Sequence, residues 1–210
     1  MKALDRKLLR DLWLMWSQAL TIALVVASGV GGFLTTLSAV DSLAHARDAF
    51  YASGRFADVF ATVKRAPDAL AGTLREIPGV ADVQTTSEFY VRIQLVDAGR
   101  ASHDPITGQL IGIDRRDPPR MNRITLRSGL PDDPVSMSPG RALPDGALPA
   151  WVSESFAEAR GLKPGARLRA LINGKQRELV VAGVALSPEY IFAGLFGMPD
   201  QRGFGIFWVD

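Results

Sequence analysis

The sequence predicts an α+β protein in which one N-terminal transmembrane helix precedes a two-lobed extracytoplasmic domain. Three observations support this fold class. No charged residue occurs between Asp11 and Asp41, a basic cluster precedes that run, and strand and helix patterns separated by turn residues follow it. The chain has 210 residues, which is enough for a membrane anchor together with one ordinary domain or two small lobes.

The apolar run predicts a transmembrane helix over residues 18–40. A bilayer core of about 30 Å requires about 20 helical residues, and this segment supplies them without a charge. Trp13 and Trp16 lie just before it, where indole rings favour the headgroup layer, so we expect them to anchor the helix at the interface. The Ala-His-Ala sequence at 44–46 offers a cleaved signal peptide as the alternative. Because the apolar run exceeds the roughly 7–15 residues of a signal sequence, we predict an uncleaved anchor.

The charges on the first eleven residues predict the orientation of that helix. Their net charge of +2 equals the net charge of the whole chain, and the topology determinants are Lys2, Arg6, Lys7 and Arg10. Because Lys and Arg stay on the cytoplasmic side, we expect a cytoplasmic N-terminus and an extracytoplasmic segment 41–210. The other basic residues form no clustered face, so no nucleic acid partner is predicted.

Residues 1–17 predict an amphipathic helix on the cytoplasmic leaflet, with membrane lipid as its partner. Apolar side chains recur there at helical spacing, at Leu4, Leu8, Leu12 and Met15. A plain N-terminal extension of the transmembrane helix is the alternative interpretation.

Two pairs of small residues within the span are candidates for helix packing. Such pairs, four residues apart, allow a second helix to approach closely. They are Ala27 with Gly31 and Ser28 with Gly32. The alternative is that these residues are merely tolerated in lipid.

The first part of the outer domain predicts a strand, helix, strand, strand order, which is typical of an α+β layer. A stalk helix is expected over 41–54, before a strand over 56–63 and a helix over 67–76 that ends at Pro78 and Gly79. Alternating residues predict a strand over 88–96. A turn at Thr107 and Gly108 then precedes a short strand over 109–113.

The second part of the outer domain is predicted to be β-rich. Residues 117–149 are irregular because they are rich in Pro, Gly, Asp and Ser. A strand over 150–152, a helix over 154–160 ended by Gly161 and a turn over 162–165 follow. Asn173 and Gly174 predict a type I′ hairpin between strands 167–172 and 175–184. Residues 186–210 should return the chain to the first lobe.

No motif predicts catalysis, a cofactor or a metal. The chain has no cysteine, and the glycine and lysine at 174–175 lack the remainder of a phosphate loop. His45 and His103 have no metal-ligand spacing around them. The sequence at 153–155 lacks the glycines of a nucleophile elbow. The sequence therefore predicts a protein that is not an enzyme.

Three segments resemble the start of FtsX-like ABC transporter permeases with a MacB-type periplasmic core domain. They read LLRDLWLMWSQALTIALVVASGVG at the membrane, RFADVFATVKRAPDALAGTLREIPGVADVQT after the stalk and VSESFAEARGLKPGARLRALINGKQRELVVAGVALSPEYI near the C-terminus. The resemblance implies a porter-like α/β lobe over 55–116, a β-rich sabre-like lobe over 117–190 and a return segment over 191–210.

The resemblance also implies a function and partners. The chain would be a permease subunit in the bacterial inner membrane, part of an ABC-type transport or mechanotransmission system. Its partners would be a cognate ATPase subunit, a second permease in a homo- or heterodimer, and a periplasmic adaptor. The alternative is a membrane-anchored extracytoplasmic binding or scaffold domain that acts without an ATPase.

The chain departs from that family's pattern because no further hydrophobic span follows the first one. We therefore expect a partial permease whose porter-like sheet has an unpaired edge. The aromatic residues near the C-terminus should then be exposed for lack of cover, namely Phe196, Phe204, Phe207 and Trp208.

Overall fold

The protein forms a long apolar N-terminal helix and a β-rich domain, which confirms the mixed α+β class. The computed structural model describes residues 3–97, 100–101, 104, 106–114, 118–129, 146–191, 193–194 and 198–210. The chain divides into two compact units, Met1–Phe50 and Tyr51–Asp210.

Two helices follow one another at the N-terminus. Helix α1 spans Ala3–Leu14 and helix α2 spans Trp16–Gly54, with a turn at Met15 between them. Hydrogen bonds from Met15 N to Asp11 O (3.1 Å) and from Ala19 N to Met15 O (3.0 Å) continue the helical pattern through this turn. The 39 residues of α2 span about 58 Å at the usual helical rise. By length and composition α2 could cross a membrane, although a signal sequence would meet the same criterion.

The outer unit contains eight strands and two short helices among the described residues. In chain order they are α3 (Ala69–Arg75), β1 (Glu88–Asp97), β2 (Arg100–Ala101), β3 (Ile106–Gly112), β4 (Thr125–Gly129), β5 (Leu148–Ser153), α4 (Glu154–Arg160), β6 (Arg167–Ile172), β7 (Lys175–Leu186) and β8 (Phe204–Val209).

Six of these strands close into a barrel. Following the pairings gives the ring β1-β3-β8-β5-β7-β6 and back to β1, with β2 added beside β1 and β4 beside β7. The pairs β3–β8 and β5–β7 are parallel, and the other four pairs of the ring are antiparallel. Ile93 shows the closure, since it pairs with Ile106 of β3 on one side and Ala170 of β6 on the other. Closure leaves none of these six strands with an unpaired edge.

Strands from both predicted lobes contribute to this barrel. β1 and β3 come from the segment 55–116, whereas β5, β6 and β7 come from the segment 117–190. The predicted boundary between the lobes, after residue 116, is therefore not a boundary between two sheets. The return segment contributes β8, which lies between β3 and β5 and connects the two parts of the chain.

The core of the unit lies on both faces of the barrel strands. Phe207 belongs to one buried cluster, and its neighbours Ile206 and Trp208 belong to a second, as expected for side chains that alternate along a strand. The rings of Phe156 on α4 and Phe207 meet edge-on with centroids 5.6 Å apart. The largest fully buried side chains are Phe156, Phe207, Ile93, Ile106, Leu168, Leu179, Ile206, Val152 and Val181.

The predicted exposure of the C-terminal aromatic residues is wrong. Phe204, Phe207 and Trp208 are buried, because both faces of β8 pack into the two core clusters. Phe196 lies outside the described residues. The prediction failed because it assumed an open sheet edge at this strand.

The predicted turn at Thr107 and Gly108 is also wrong. Both residues lie within β3, opposite Arg92 and Val91 of β1. A Cβ atom on Gly108 would lie 2.5 Å from Cγ1 of Ile93 and 3.2 Å from Cε2 of Phe207. The glycine is therefore required by close packing within the barrel, and its presence does not mark a turn.

Two further strand predictions differ from the structure. No strand forms over residues 56–63, and no described strand pairs with that segment. Conversely, the segment 117–149, predicted to be irregular, contains β4, which pairs with β7 through an irregular register near Leu126 and Ser128. Both errors concern pairing with distant strands, which local sequence does not specify.

Local predictions with strong turn or cap residues are confirmed. Helix α4 has the predicted bounds, and Gly161 after it has a φ of 64°. Strand β6 has the predicted bounds, and positive φ angles of 50° and 74° at Asn173 and Gly174 form the turn into β7. Helix α3 lies within the predicted segment 67–76, and α2 continues to Gly54 as the stalk prediction requires.

Candidate functional site

The basic residues expected to set the orientation lie on α1. Arg6, Lys7 and Arg10 are exposed there, and Lys2 lies outside the described residues. Leu4, Leu8, Leu12 and Met15 are exposed as well, and so are the interface candidates Trp13 and Trp16. Such exposure of large apolar side chains is what a lipid environment accommodates.

The small residues of α2 leave an open helix surface. A Cβ atom added to Gly29, Gly31 or Gly32 would meet no atom within 4 Å. The neighbouring hydroxyl groups bond within the helix, as shown by Ser28 Oγ to Val25 O (2.9 Å) and Thr35 Oγ1 to Gly31 O (2.8 Å). Their hydrogen-bonding capacity is satisfied without a partner helix, which suits a helix in lipid.

The last turn of α2 belongs to the outer unit and is held within it by a set of contacts that we call the helix joint. The joint consists of Gly54, Arg55, Ala57, Asn122, Arg123, Pro188 and Glu189. The carbonyl oxygens of Arg55 and Gly54 accept hydrogen bonds from Asn122 N (3.1 Å) and Arg123 N (2.8 Å). These bonds satisfy carbonyl groups that a helix end leaves without intrahelical partners.

Asn122 is the central residue of the helix joint. Its Oδ1 atom accepts a hydrogen bond from Ala57 N (3.0 Å), and its Nδ2 atom donates one to Glu189 Oε2 (2.9 Å). Its backbone has a φ of 50°, a left-handed conformation that Asn tolerates better than most residues. Gly54 is buried against Pro188, and a Cβ atom at residue 54 would lie 2.8 Å from Cγ of Pro188.

A partly buried polar network continues from the helix joint. Burial raises the pKa of the Glu189 carboxyl above its ordinary value, and the nearby charge of Glu88 adds to this effect. Burial likewise raises the pKa of the Tyr190 phenol, which stays neutral and donates a hydrogen bond to Glu88 Oε1 (3.0 Å). Gln109 Nε2 donates to the other oxygen of Glu88 (2.8 Å).

A cleft of about 280 Å³ lies next to this network. Arg75, Gln84, Arg120 and Trp208 are among the residues that line it. Gln84 Oε1 accepts hydrogen bonds from the backbone N–H groups of Arg120 (2.8 Å) and Met121 (2.9 Å). The polar groups of the cleft are therefore largely satisfied by one another.

The two arginines at the cleft share one carboxylate. Arg75 and Arg120 lie 3.5 Å and 3.3 Å from the oxygens of Asp82. The backbone N–H of Val83 holds the pKa of the Asp82 carboxyl below its ordinary value, and both arginines act in the same direction. Asp82 therefore offsets one of the two positive charges that the arginines bring to the cleft.

On the basis of sequence, one serine was considered for catalysis and two histidines for metal binding. Ser153 Oγ is buried and accepts a hydrogen bond from Ile206 N (3.3 Å). His45 is exposed on α2 near Asp41, and His103 lies outside the described residues. Within the described ranges, no group of three or more His, Cys, Asp or Glu side chains could hold a metal ion.

No protein-family model matches this chain, and a search of curated proteins finds no significant match.

The sequence did not predict an exposed apolar surface that the outer unit carries after α2. We call residues 56–80 the apolar surface segment. Its exposed large side chains are Phe56, Val59, Phe60, Val63, Leu70, Leu74, Ile77 and Val80. No residue of α3 is buried. The signal was present in the sequence, but it was interpreted as a strand and a helix that pack on a sheet.

Proposed function

We propose that this chain is a partial permease subunit of an ABC-type transport or mechanotransmission system, anchored in the bacterial inner membrane. In this proposal the N-terminus is cytoplasmic and the barrel lies in the periplasm, where it acts on substrates or envelope partners. The basic residues of α1 and the apolar helix α2 support this orientation.

The observation that carries the proposal is the continuity of α2 from its apolar part to the helix joint. The helix runs without a break from Trp16 to Gly54, and its end is held by hydrogen bonds to Asn122 and Arg123. A displacement of the helix end therefore acts directly on the loop that carries Asn122. A flexible linker at this point would absorb such a displacement.

The proposal keeps the porter-like and sabre-like assignments as a resemblance of the segments 55–116 and 117–190 in sequence, although their strands share one barrel. The resemblance in sequence supports them. The partners in this proposal are a cognate ATPase subunit, a second permease in a homo- or heterodimer, and a periplasmic adaptor.

A second candidate function is a membrane-anchored binding or scaffold domain that works without an ATPase. The apolar surface segment favours it, because a large exposed apolar surface marks an interaction site. The two functions differ in whether an ATP-binding subunit associates with the chain.

The partner proteins distinguish the two functions. We expect that the tagged full chain, isolated in mild detergent from the membranes of its own host, retains an ATPase subunit and a second permease. Gly31→Leu should weaken association with the second permease, because Leu fills the open surface where another helix would approach. Gly29→Leu is the matched control, since residue 29 has equal space but lies on another side of the helix. Recovery of envelope proteins without any ATPase would favour the scaffold function.

The orientation has its own test. A periplasm-dependent reporter fused after Ala52 should be active, and the same reporter fused before Trp13 should be inactive. The protein should stay in the membrane fraction. A soluble form that begins near Arg47 would instead establish a cleaved signal peptide.

A further inference from the structure

Residues 58–64 are an exposed segment whose backbone forms no hydrogen bond to any other described residue. The segment follows Ala57, which is the last residue held by Asn122. It bends at Asp58 and Lys64 and runs without a bend between them. Val59 is 83% exposed, Phe60 50% and Val63 61%. Unpaired backbone next to exposed apolar side chains is a template for pairing with another strand.

The sequence of this segment alternates as a strand would. Val59, Ala61 and Val63 occupy the odd positions and would share one apolar face. The other face carries Phe60 and Thr62, with charged residues of opposite sign at the two ends, Asp58 and Lys64.

We propose that residues 58–64 pair antiparallel with the same segment of a second copy of this chain. The two-fold axis passes through Ala61, which lies opposite itself. Val59 of each copy then lies opposite Val63 of the other, and Asp58 opposite Lys64. Such an interface is isologous, because the same surface serves on both copies.

Charge complementarity selects a second copy as the occupant. In this register both charged ends form opposite-charge cross-strand pairs, and the two-fold axis repeats the pair. The odd positions bring valines and alanines together on a continuous apolar face. Few unrelated strands would match both features at once.

A lipid surface is a poor occupant of the same segment. The unpaired N–H and C=O groups of residues 58–64 would lose their hydrogen bonds to water in the hydrocarbon region without gaining others. Strand pairing satisfies the groups that point toward the partner strand, leaves the others in water, and places the apolar side chains of the two copies side by side. Pairing over seven residues buries a small area, so the dimer should be weak in dilute detergent and favoured at membrane concentrations.

Cysteine cross-linking tests the pairing directly, because the chain contains no cysteine. In full-length protein in native membranes, Ala61→Cys should form a disulfide-linked dimer on mild oxidation. Val59→Cys alone should not, because its equivalent on the other copy lies about 13 Å away along the strand. A mixture of Val59→Cys and Val63→Cys chains should cross-link. Leu171→Cys is the control, since Leu171 is exposed on β6 and has no place in the interface.

Charge exchange tests the register. In the Ala61→Cys background, Asp58→Lys should lower the cross-link yield about tenfold, because each copy then places Lys opposite Lys64. Adding Lys64→Asp should restore the yield. Both residues are exposed, so thermal melts of these variants should match the parent and exclude misfolding.

Several outcomes would overturn the pairing. The first is that Ala61→Cys forms no more dimer than Leu171→Cys. The second is that the charge exchange fails to restore the yield. Cross-linking of Ala61→Cys to a different host protein would identify another occupant. The pairing does not rest on the proposed permease function, and its failure would leave the ATPase experiment unaffected.

Discussion

Gly54→Ala is the sharpest perturbation of the helix joint. Gly54 is the last residue of α2 and is buried against Pro188. An added Cβ atom would lie 2.8 Å from Cγ and 3.3 Å from Cδ of Pro188. Both atoms belong to a ring and cannot rotate away, so the helix end or the loop that carries Pro188 must shift.

The expected loss of stability follows from two opposing effects. Overpacking of a close contact costs about 1–3 kcal/mol, whereas replacing Gly by Ala in a helix gains up to about 1 kcal/mol. The net loss should be about 1–2 kcal/mol. For a unit of this size, that corresponds to a decrease in Tm of about 3–8 °C.

Thermal unfolding of the full chain in detergent, followed by circular dichroism, measures this loss. Gly72→Ala is the matched control, because residue 72 lies on α3 and an added Cβ atom would meet nothing within 4 Å. Combining Gly54→Ala with Pro188→Ala removes the clash and should recover most of the loss. A Gly54→Ala protein as stable as the parent would refute the close packing of the helix joint.

Three further predictions concern the barrel core, the polar network and the membrane helix. Phe207→Ala should lower the free energy of unfolding in urea by about 3–5 kcal/mol, because it leaves a cavity beside Phe156, and a loss below about 1 kcal/mol would contradict the core assignment. Burial raises the pKa of Glu189, so the stability linked to its neutral form is present below its ordinary pKa of 4.5 and lost as the pH rises through the raised value. Glu189→Gln should therefore melt above the parent at pH 8 and with it near pH 4, and equal melting temperatures at both pH values would show that burial does not disfavour the charge. Val26→Arg should impair membrane insertion at a cost of about 2.5–3.5 kcal/mol, measured in an insertion assay, whereas Val181→Arg should unfold the barrel and leave insertion intact.

The elements that sequence predicts well have their determinants close together in the chain. Asn173 and Gly174 supply the positive φ angles that the hairpin between β6 and β7 needs. Gly161 ends α4 for the same kind of reason. Helix α2 is specified by a continuous apolar run. In each case residues that are neighbours in sequence determine the element.

The predictions are wrong where the local structure is determined by residues that are distant in sequence. Gly108 has the appearance of a turn residue, but Ile93 and Phe207 require the small side chain there. The aromatic residues of β8 were expected to be exposed because the sequence does not show that β3 and β5 enclose that strand. The segment 56–63 has apolar residues suited to a strand, but a strand also requires a partner, which no described residue provides.

The candidate sites were predictable to different degrees. The membrane helix and its basic flank follow from composition alone. The helix joint does not, because Asn122 lies in an irregular stretch and bonds to the backbone of Ala57 and the carboxylate of Glu189, which are 65 and 67 residues away. Nothing in the local sequence marks that asparagine as a contact of Ala57 and Glu189.

The position of β8 in the ring has a consequence for the order of folding. The hairpin of β6 and β7 can form as soon as residue 186 is available, because its strands are neighbours in sequence. The ring itself cannot close until residues 204–209 are available, because β8 lies between β3 and β5 and pairs with both. β3 and β8 are nearly a hundred residues apart, so closure is a long-range event of the kind that slows folding. Until then the edges of β3 and β5 that β8 covers stay unpaired, and such edges are prone to pairing with other chains.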